Sequence, residues 1–78
     1  MYKNPRAIEL QVSRSLKFWR MFDGMTQESV AFALGTARQH YCRMENAHTC
    51  PNLNTFVALA GALNISPYML ALTMEALD

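Results

Sequence analysis

Apolar residues recur every three or four positions along most of this 78-residue chain, and this spacing limits the fold more than any other feature. Such spacing places apolar side chains on one face of an α-helix, whereas a half-buried strand needs alternation every second residue. The sequence holds no useful run of alternating β-branched residues. With 51% hydrophobic and 17% charged residues, the composition excludes a disordered tail. We therefore predict an all-α fold in a single domain over residues 1–78.

Capping residues and helix breakers divide this pattern into five predicted helices. Gly24 and Gly35 end the first two helices, since glycine suits the left-handed conformation after a helix. The cap of the third helix is either Thr36 or Ala37. The predicted helices run from about Pro5 to Phe22, from Gln27 after a Thr26 cap to Leu34, through TARQHYCRMEN, from an Asn52 cap to Leu63, and from Pro67 after a Ser66 cap to about Leu77.

The same spacing predicts which side chains face the core. Tyr41 and Met44 are expected to mark the inner side of the third helix. On the second helix the inward residues are expected to be Val30, Ala31 and Leu34. On the fourth, the inward stripe is expected to comprise Leu53, Phe56, Leu59, Ala60 and Leu63.

The segment HYCRMENAHTC resembles a metal site because it contains both histidines and both cysteines of the chain. However, His40 and Cys42 are two residues apart on one predicted helix, so they point to roughly opposite sides and cannot share an ion. If Cys42 and His48 were ligands, two more ligands would have to come from elsewhere, and none is evident. We therefore expect no metal and no cofactor. A disulfide between the two cysteines is a minor alternative, since the chain opens with no secretion signal and thiols stay reduced in the cytosol.

The outward face of the third helix is polar and carries local positive charge. With 100° per residue it holds Arg38, Gln39, Cys42, Arg43 and Asn46. Arginine matches the edge of guanine and glutamine that of adenine, while asparagine suits phosphate. The net charge of the whole chain is only +1, so any attraction to nucleic acid is confined to this region. An ordinary solvated helix face has a similar composition, and composition does not separate the two interpretations.

A two-turn helix, a glycine break and an outward polar helix together form a helix-turn-helix unit. The stretch MTQESVAFALGTARQHYCRMENAHTCPNLNTFVALAGALNIS resembles the Cro/CI-type (XRE) helix-turn-helix family of repressors. The resemblance covers about residues 16–70 and leaves residues 71–78 as the end of the last helix. It is carried, without a gap, by Thr26, Gln27, Glu28, Ala31, Leu34, Gly35, Glu45, Pro51, Leu53, Leu59, Ala60, Leu63 and Ser66.

The resemblance implies a compact five-helix, lambda-repressor-like domain and assigns roles by position. The positions that reach base edges are Arg38, Gln39 and Arg43. The positions expected at the DNA backbone are Gln27 and Asn46, with His48 where the family has a lysine or arginine and His40 at the rim or in solvent. Arg20 and Glu45 match a pair that joins the first helix to the recognition helix, for which the planar guanidinium suits a carboxylate.

Besides His48, three positions depart from the family pattern. Ala37 replaces a serine or threonine cap, so either Thr36 caps the recognition helix or its start is weaker by about 1 kcal/mol. Tyr41 replaces a branched aliphatic core residue. The glycine that commonly follows Glu45 is missing, which leaves the path of the backbone into the next loop undetermined.

The sequence thus predicts a transcription regulator that binds double-stranded DNA in the cytoplasm, at the nucleoid, without a membrane. We expect a homodimeric repressor, because the last helix has an apolar strip that a second copy would cover. That strip comprises Tyr68, Met69, Leu72 and Met74, and it is the first choice for the dimer contact. The second choice is the first helix, with Phe18 and Phe22. An antitoxin-like module that grips a protein partner is the alternative. An enzyme is not expected, since no nucleophile–base set or carboxylate pair is present.

Overall fold

The computed structural model describes residues 5–77, with side chains from residue 8 onward. Within that range the predicted all-α fold is confirmed, and the element bounds differ from the prediction by no more than about one residue. The helices are α1 (Pro5–Phe22), α2 (Gln27–Leu34), α3 (Arg38–Glu45), α4 (Leu53–Ala62) and α5 (Pro67–Ala76). No single helix in residues 5–77 is long and apolar enough to cross a membrane; α4 and α5 together reach that length and composition but are bent by 96°.

Side-chain caps begin three of the helices. The side-chain oxygens of Thr26, Asn52 and Ser66 each accept a hydrogen bond from a backbone N–H in the first turn of α2, α4 and α5. Helix α3 differs, because its N-cap is Ala37, in extended conformation, and no side chain caps it. Of the two predicted alternatives for this cap, Thr36 is therefore wrong, and the start of α3 lacks a bond that the other three helices have.

The core lies between all five helices and contains the side chains predicted for α2 and α3. Its buried members are Val12, Leu16, Val30, Ala31, Tyr41, Met44, Leu59, Ala60, Leu63 and Leu70, with Leu34 and Phe56 packed against it. The prediction for Leu53 is wrong, since this side chain is 76% exposed. Leu53 is the first residue of α4, and helical spacing gives the direction of a side chain but not how far along the helix the core extends.

Two hydrogen bonds fix α5 along α1. The hydroxyl of Ser15 donates to the carbonyl of Leu70 at 2.9 Å, and Trp19 Nε1 donates to Thr73 Oγ1 at 2.9 Å. This packing corrects the predicted α5 strip, because Met74 is half-buried and packs against the core. It lies one helical turn after Leu70 and shares the inward face of that residue. The other three residues of the strip, Tyr68, Met69 and Leu72, are exposed.

Candidate nucleic-acid interface

Gly35 allows α2 and α3 to follow each other through a tight turn. It adopts a left-handed conformation with φ 78°, which costs glycine little and other residues more. Its backbone N–H donates to the carbonyls of Ala31 and Phe32 at the end of α2. Only residues 35–37 separate the two helices, and α3 packs against α2 to form a helix-turn-helix unit.

The inner side of α3 is buried and its outer side is open. Tyr41 and Met44 are 0% and 1% exposed, as the sequence predicted. On the outer side, a shallow groove of about 400 Å³ runs along the helix and into the following loop. The residues lining it are Arg38, Gln39, Cys42, Arg43, Asn46 and His48. The structure therefore brings together the three predicted base-reading residues and two of the four predicted backbone contacts.

The cationic side chains of this groove are available to a ligand. Within residues 8–77, neither Arg38 nor Arg43 forms an ion pair with a carboxylate, and both are exposed. The amide of Asn46, the C-cap of α3, donates to Cys42 Sγ at 3.3 Å. The groove thus presents two unpaired guanidiniums beside amide and thiol groups, which is a surface suited to polyanions and to base edges.

The other two predicted backbone contacts lie outside this groove. Gln27 is the first residue of α2 and is half-buried. His40 is exposed and lines a separate depression of about 260 Å³ between the start of α3 and the start of α4. Gln27 and His40 therefore lie at other places around the helix-turn-helix unit, and His40 is exposed to solvent.

Glu45, the last residue of α3, lies beneath the groove, where four hydrogen bonds converge on its carboxylate. Oε2 accepts from Arg20 Nε at 2.7 Å and from the Tyr41 hydroxyl at 2.6 Å. Oε1 accepts from Arg20 Nη2 at 3.0 Å and from Gln27 Nε2 at 2.9 Å. The structure thus places Arg20 and Glu45 in the two-point contact expected for them, and it adds two neutral donors from α2 and α3. Arg20 Nη1 also donates to the carbonyl of Met25, just before α2.

These contacts shift the pKa of each ionisable partner. Burial works against the charged form of Glu45, but hydrogen bonds from Arg20, Tyr41 and Gln27 outweigh it and hold the pKa of this carboxyl below its ordinary 4.5. The pKa of Arg20 is raised, chiefly by its hydrogen bond to the same carboxylate. Burial, and then the bond to Glu45, raise the pKa of the Tyr41 hydroxyl far above its ordinary range. Glu45 is therefore an anion, and Tyr41 a neutral donor, at neutral pH.

The structure shows the backbone path of the loop after α3, which the sequence left undetermined because the glycine that commonly follows Glu45 is missing. Ala47 stands there in a left-handed conformation with φ 63°, and its side chain is buried. For a residue with a Cβ this conformation costs roughly 1 kcal/mol or more. The His48 N–H donates to the carbonyl of Arg43 at 2.8 Å, which fixes the turn and brings the His48 side chain to the groove.

The two cysteines are free thiols, with Cys42 half-buried in the groove and Cys50 exposed in the loop. Burial of its sulfur, and then the nearby charge of Glu9, raise the pKa of Cys50, which makes this thiol less reactive. In the part of the chain that the structure describes, no three histidine, cysteine or acidic side chains come together as metal ligands.

Sequence reasoning did not find three of the bonds that hold the end of α3, namely those from Tyr41, Ser13 and Gln27 to Glu45. The hydroxyl of Tyr41 reaches Glu45, and the spacing of four residues along one helix was a signal that could have indicated it. The hydroxyl of Ser13 donates to the backbone carbonyl of Glu45, from a position 32 residues earlier in the chain. No local pattern connects Ser13 with the end of α3, so the sequence offered no signal for that bond.

Comparison with known proteins places this geometry in a family. A helix-turn-helix family model matches residues 17–70. The restriction-modification controller protein C.AhdI from Aeromonas hydrophila has a similar structure, with 29% identity, a TM-score of 0.76, and coverage of 80% of this chain and 94% of that one. The clp gene regulator ClgR from C. glutamicum has 14% identity, a TM-score of 0.84, and coverage of 88% and 90%. A variant of the restriction-modification controller protein C.Esp1396I has 20% identity, a TM-score of 0.82, and coverage of 87% and 88%.

No curated protein sequence matches this chain. The family match nevertheless spans more than half of the chain and includes α2, the turn at Gly35, and α3. The fold is therefore the lambda-repressor-like one that the resemblance implied, and the chain belongs to the Cro/CI-type (XRE) family of helix-turn-helix DNA-binding transcription regulators, which are not enzymes.

Proposed function

We propose that this chain is a repressor that acts as a homodimer and reads a palindromic operator through the major groove of DNA. The observation that carries the proposal is the exposed outer face of α3, where Arg38, Gln39 and Arg43 line one groove. An α-helix fits the major groove, and these side chains match the edges of guanine and adenine. The opposite face is anchored by Tyr41 and Met44, so the helix is held while its polar face is presented.

Around these base contacts we assign four residues to the DNA backbone. Gln27, at the exposed amides that begin α2, would hold one phosphate, as anions are favoured at a helix start. Asn46 and His48 would meet the backbone beyond the other end of α3. His40 would lie at the rim, beside the start of α4. Such contacts fix the position of the protein and carry no sequence information themselves.

The dimer would form through exposed apolar side chains on α5, with α1 as the second choice. Three residues of the predicted α5 strip remain exposed, namely Tyr68, Met69 and Leu72. On the adjacent α1, Phe18 and Phe22 are exposed as well, and their rings stack with centroids 6.2 Å apart. In a two-fold dimer the two recognition helices would enter successive major grooves about 34 Å apart.

A role in gene control agrees with the similarity to C.AhdI, which is a restriction-modification controller protein. The proposed site of action is DNA in the cytoplasm. A second protein as partner is the competing interpretation, and the test below separates the two.

The test is selection of bound sequences from a random duplex pool. We expect a two-fold motif with half-sites one helical turn apart. Arg43→Ala should weaken binding to the selected site by about 1–3 kcal/mol and relax one base position. Lys17→Ala removes the same charge from an exposed site on α1 and should leave the motif unchanged. Recovery of no enriched sequence, together with co-purification of another protein, would refute the proposal in favour of a protein-binding module.

A further inference from the structure

The side-chain amide of Gln27 is not free to rotate, because it is hydrogen-bonded to the buried carboxylate of Glu45. We infer that Glu45 is a positioning residue for the DNA-backbone contact at the start of α2, acting through Gln27. The inference rests on the proposed function and adds to it a residue that does not touch DNA. Glu45 is 5% exposed, so it cannot itself meet a nucleic acid.

The chemistry of the contact fixes which way the amide of Gln27 faces. An ionised carboxylate only accepts hydrogen bonds, so it repels the Gln27 carbonyl and binds Nε2, which lies 2.9 Å from Glu45 Oε1. One N–H is thereby used. The second N–H on the same nitrogen points about 120° away in the amide plane, and it is the side-chain donor left for a phosphate oxygen. Glu45 therefore sets the direction of that donor.

The same carboxylate fixes α2 relative to the recognition helix. Glu45 ends α3, and Arg20, which binds it at two points, also binds the carbonyl of Met25 in the segment that leads into α2. The backbone contact at Gln27 and the base-reading face of α3 are thus positioned from one buried group. If Glu45 only stabilised the fold, its replacement would change the fraction of folded protein and not the geometry of the Gln27 contact.

A double-mutant cycle on DNA affinity separates these roles, with each variant kept in conditions where it is fully folded and at one salt concentration. We expect Glu45→Gln to weaken binding by about tenfold, the size of a charge-assisted hydrogen bond, although it removes a negative charge. In a Gln27→Ala background, Glu45→Gln should weaken binding by clearly less than tenfold, because the part of its effect that acts through Gln27 is already lost. The matched control is Glu28→Gln, which removes the same charge at an exposed neighbour of Gln27 and should not weaken binding.

A second measurement on the unmodified chain keeps the inference testable if Glu45→Gln does not fold. The side-chain amide of Gln27 should be ordered in the free protein, with an NMR order parameter near that of rigid backbone, about 0.85, while the exposed amide of Gln39 should fall below about 0.6. A Gln27 amide as mobile as that of Gln39 would overturn the inference. So would equal effects of Glu45→Gln in both backgrounds, or unchanged binding by Gln27→Ala. Absence of any DNA binding by the unmodified chain would instead overturn the proposed function, and the inference with it.

Discussion

Replacement of Tyr41 by phenylalanine isolates one buried hydrogen bond of the recognition helix. The Tyr41 side chain is fully buried, and its hydroxyl donates to Glu45 Oε2 at 2.6 Å. Phenylalanine retains the ring and its packing, so the change removes only one oxygen atom and the hydrogen bond that it donates. The carboxylate then keeps three of its four donors, two from Arg20 and one from Gln27.

The expected cost follows from the charge of the acceptor. Hydrogen bonds to charged groups contribute about 1.5–3 kcal/mol, roughly twice the contribution of neutral ones. Because the packing is conserved, this bond dominates the change, and we expect Tyr41→Phe to lower the free energy of unfolding by about 2 kcal/mol. For a domain of this size that corresponds to a fall in Tm of roughly 8–16 °C.

Urea denaturation followed by circular dichroism measures this difference, and Tyr68→Phe is its matched control. Tyr68 is 71% exposed on α5, so loss of its hydroxyl should change the free energy of unfolding by less than about 0.5 kcal/mol. The difference in free energy of unfolding between Tyr41→Phe and the unmodified chain should also become smaller in acid, where Glu45 gains a proton. A loss below about 0.5 kcal/mol for Tyr41→Phe, or equal losses in the two variants, would refute the claim that Glu45 is held as an anion by this hydroxyl.

Two further predictions concern the start and the end of the same helix. Ala37→Ser should raise the free energy of unfolding by about 0.5–1 kcal/mol in urea denaturation, because it supplies the N-cap that α3 lacks. The control Thr26→Ala, which removes the cap of α2, should lower it. If Thr26→Ala destabilises the domain but Ala37→Ser has no effect, the start of α3 needs no cap. The lowered pKa of Glu45 means that its stabilisation is present above the ordinary glutamate pKa of 4.5 and is lost as pH falls through the lower folded value. The thermal unfolding temperature should therefore fall below about pH 4.5, and it should fall less in Glu45→Gln. Parallel profiles of Tm against pH for the two proteins would contradict this.

The helices and the orientation of α3 could be predicted because both depend on local spacing. At 100° per residue, the positions of Tyr41 and Met44 determine that Arg38 and Arg43 face outward, and the structure has them so. The burial of a residue was predicted wrongly where it depends on more than the spacing within one helix. Whether Leu53 is buried depends on where neighbouring helices stop, which α4 alone does not encode.

Contacts between distant parts of the chain were also beyond the sequence, except where a family pattern supplied them. The pattern paired Arg20 with Glu45, but neither the Gln27 amide nor the Ser13 hydroxyl was connected with Glu45 by any local signal. Ser13 and Arg20 lie on α1 and Gln27 lies on α2, so they meet Glu45 only when α1, α2 and α3 are packed together. Periodicity describes one helix at a time, and a buried polar cluster is a property of several.

The recognition helix is held in place from beneath, and this determines how substitutions on its two faces should behave. An isolated helix of eight residues is far below the length that is stable in water, and α3 has no side-chain cap and is followed by a left-handed alanine. Its conformation therefore depends on the burial of Tyr41 and Met44 and on the four bonds at Glu45. Changes on the outer face should alter DNA recognition with little effect on stability. Changes on the inner face should alter both, since the side chains that fold the helix also determine where its outer face lies.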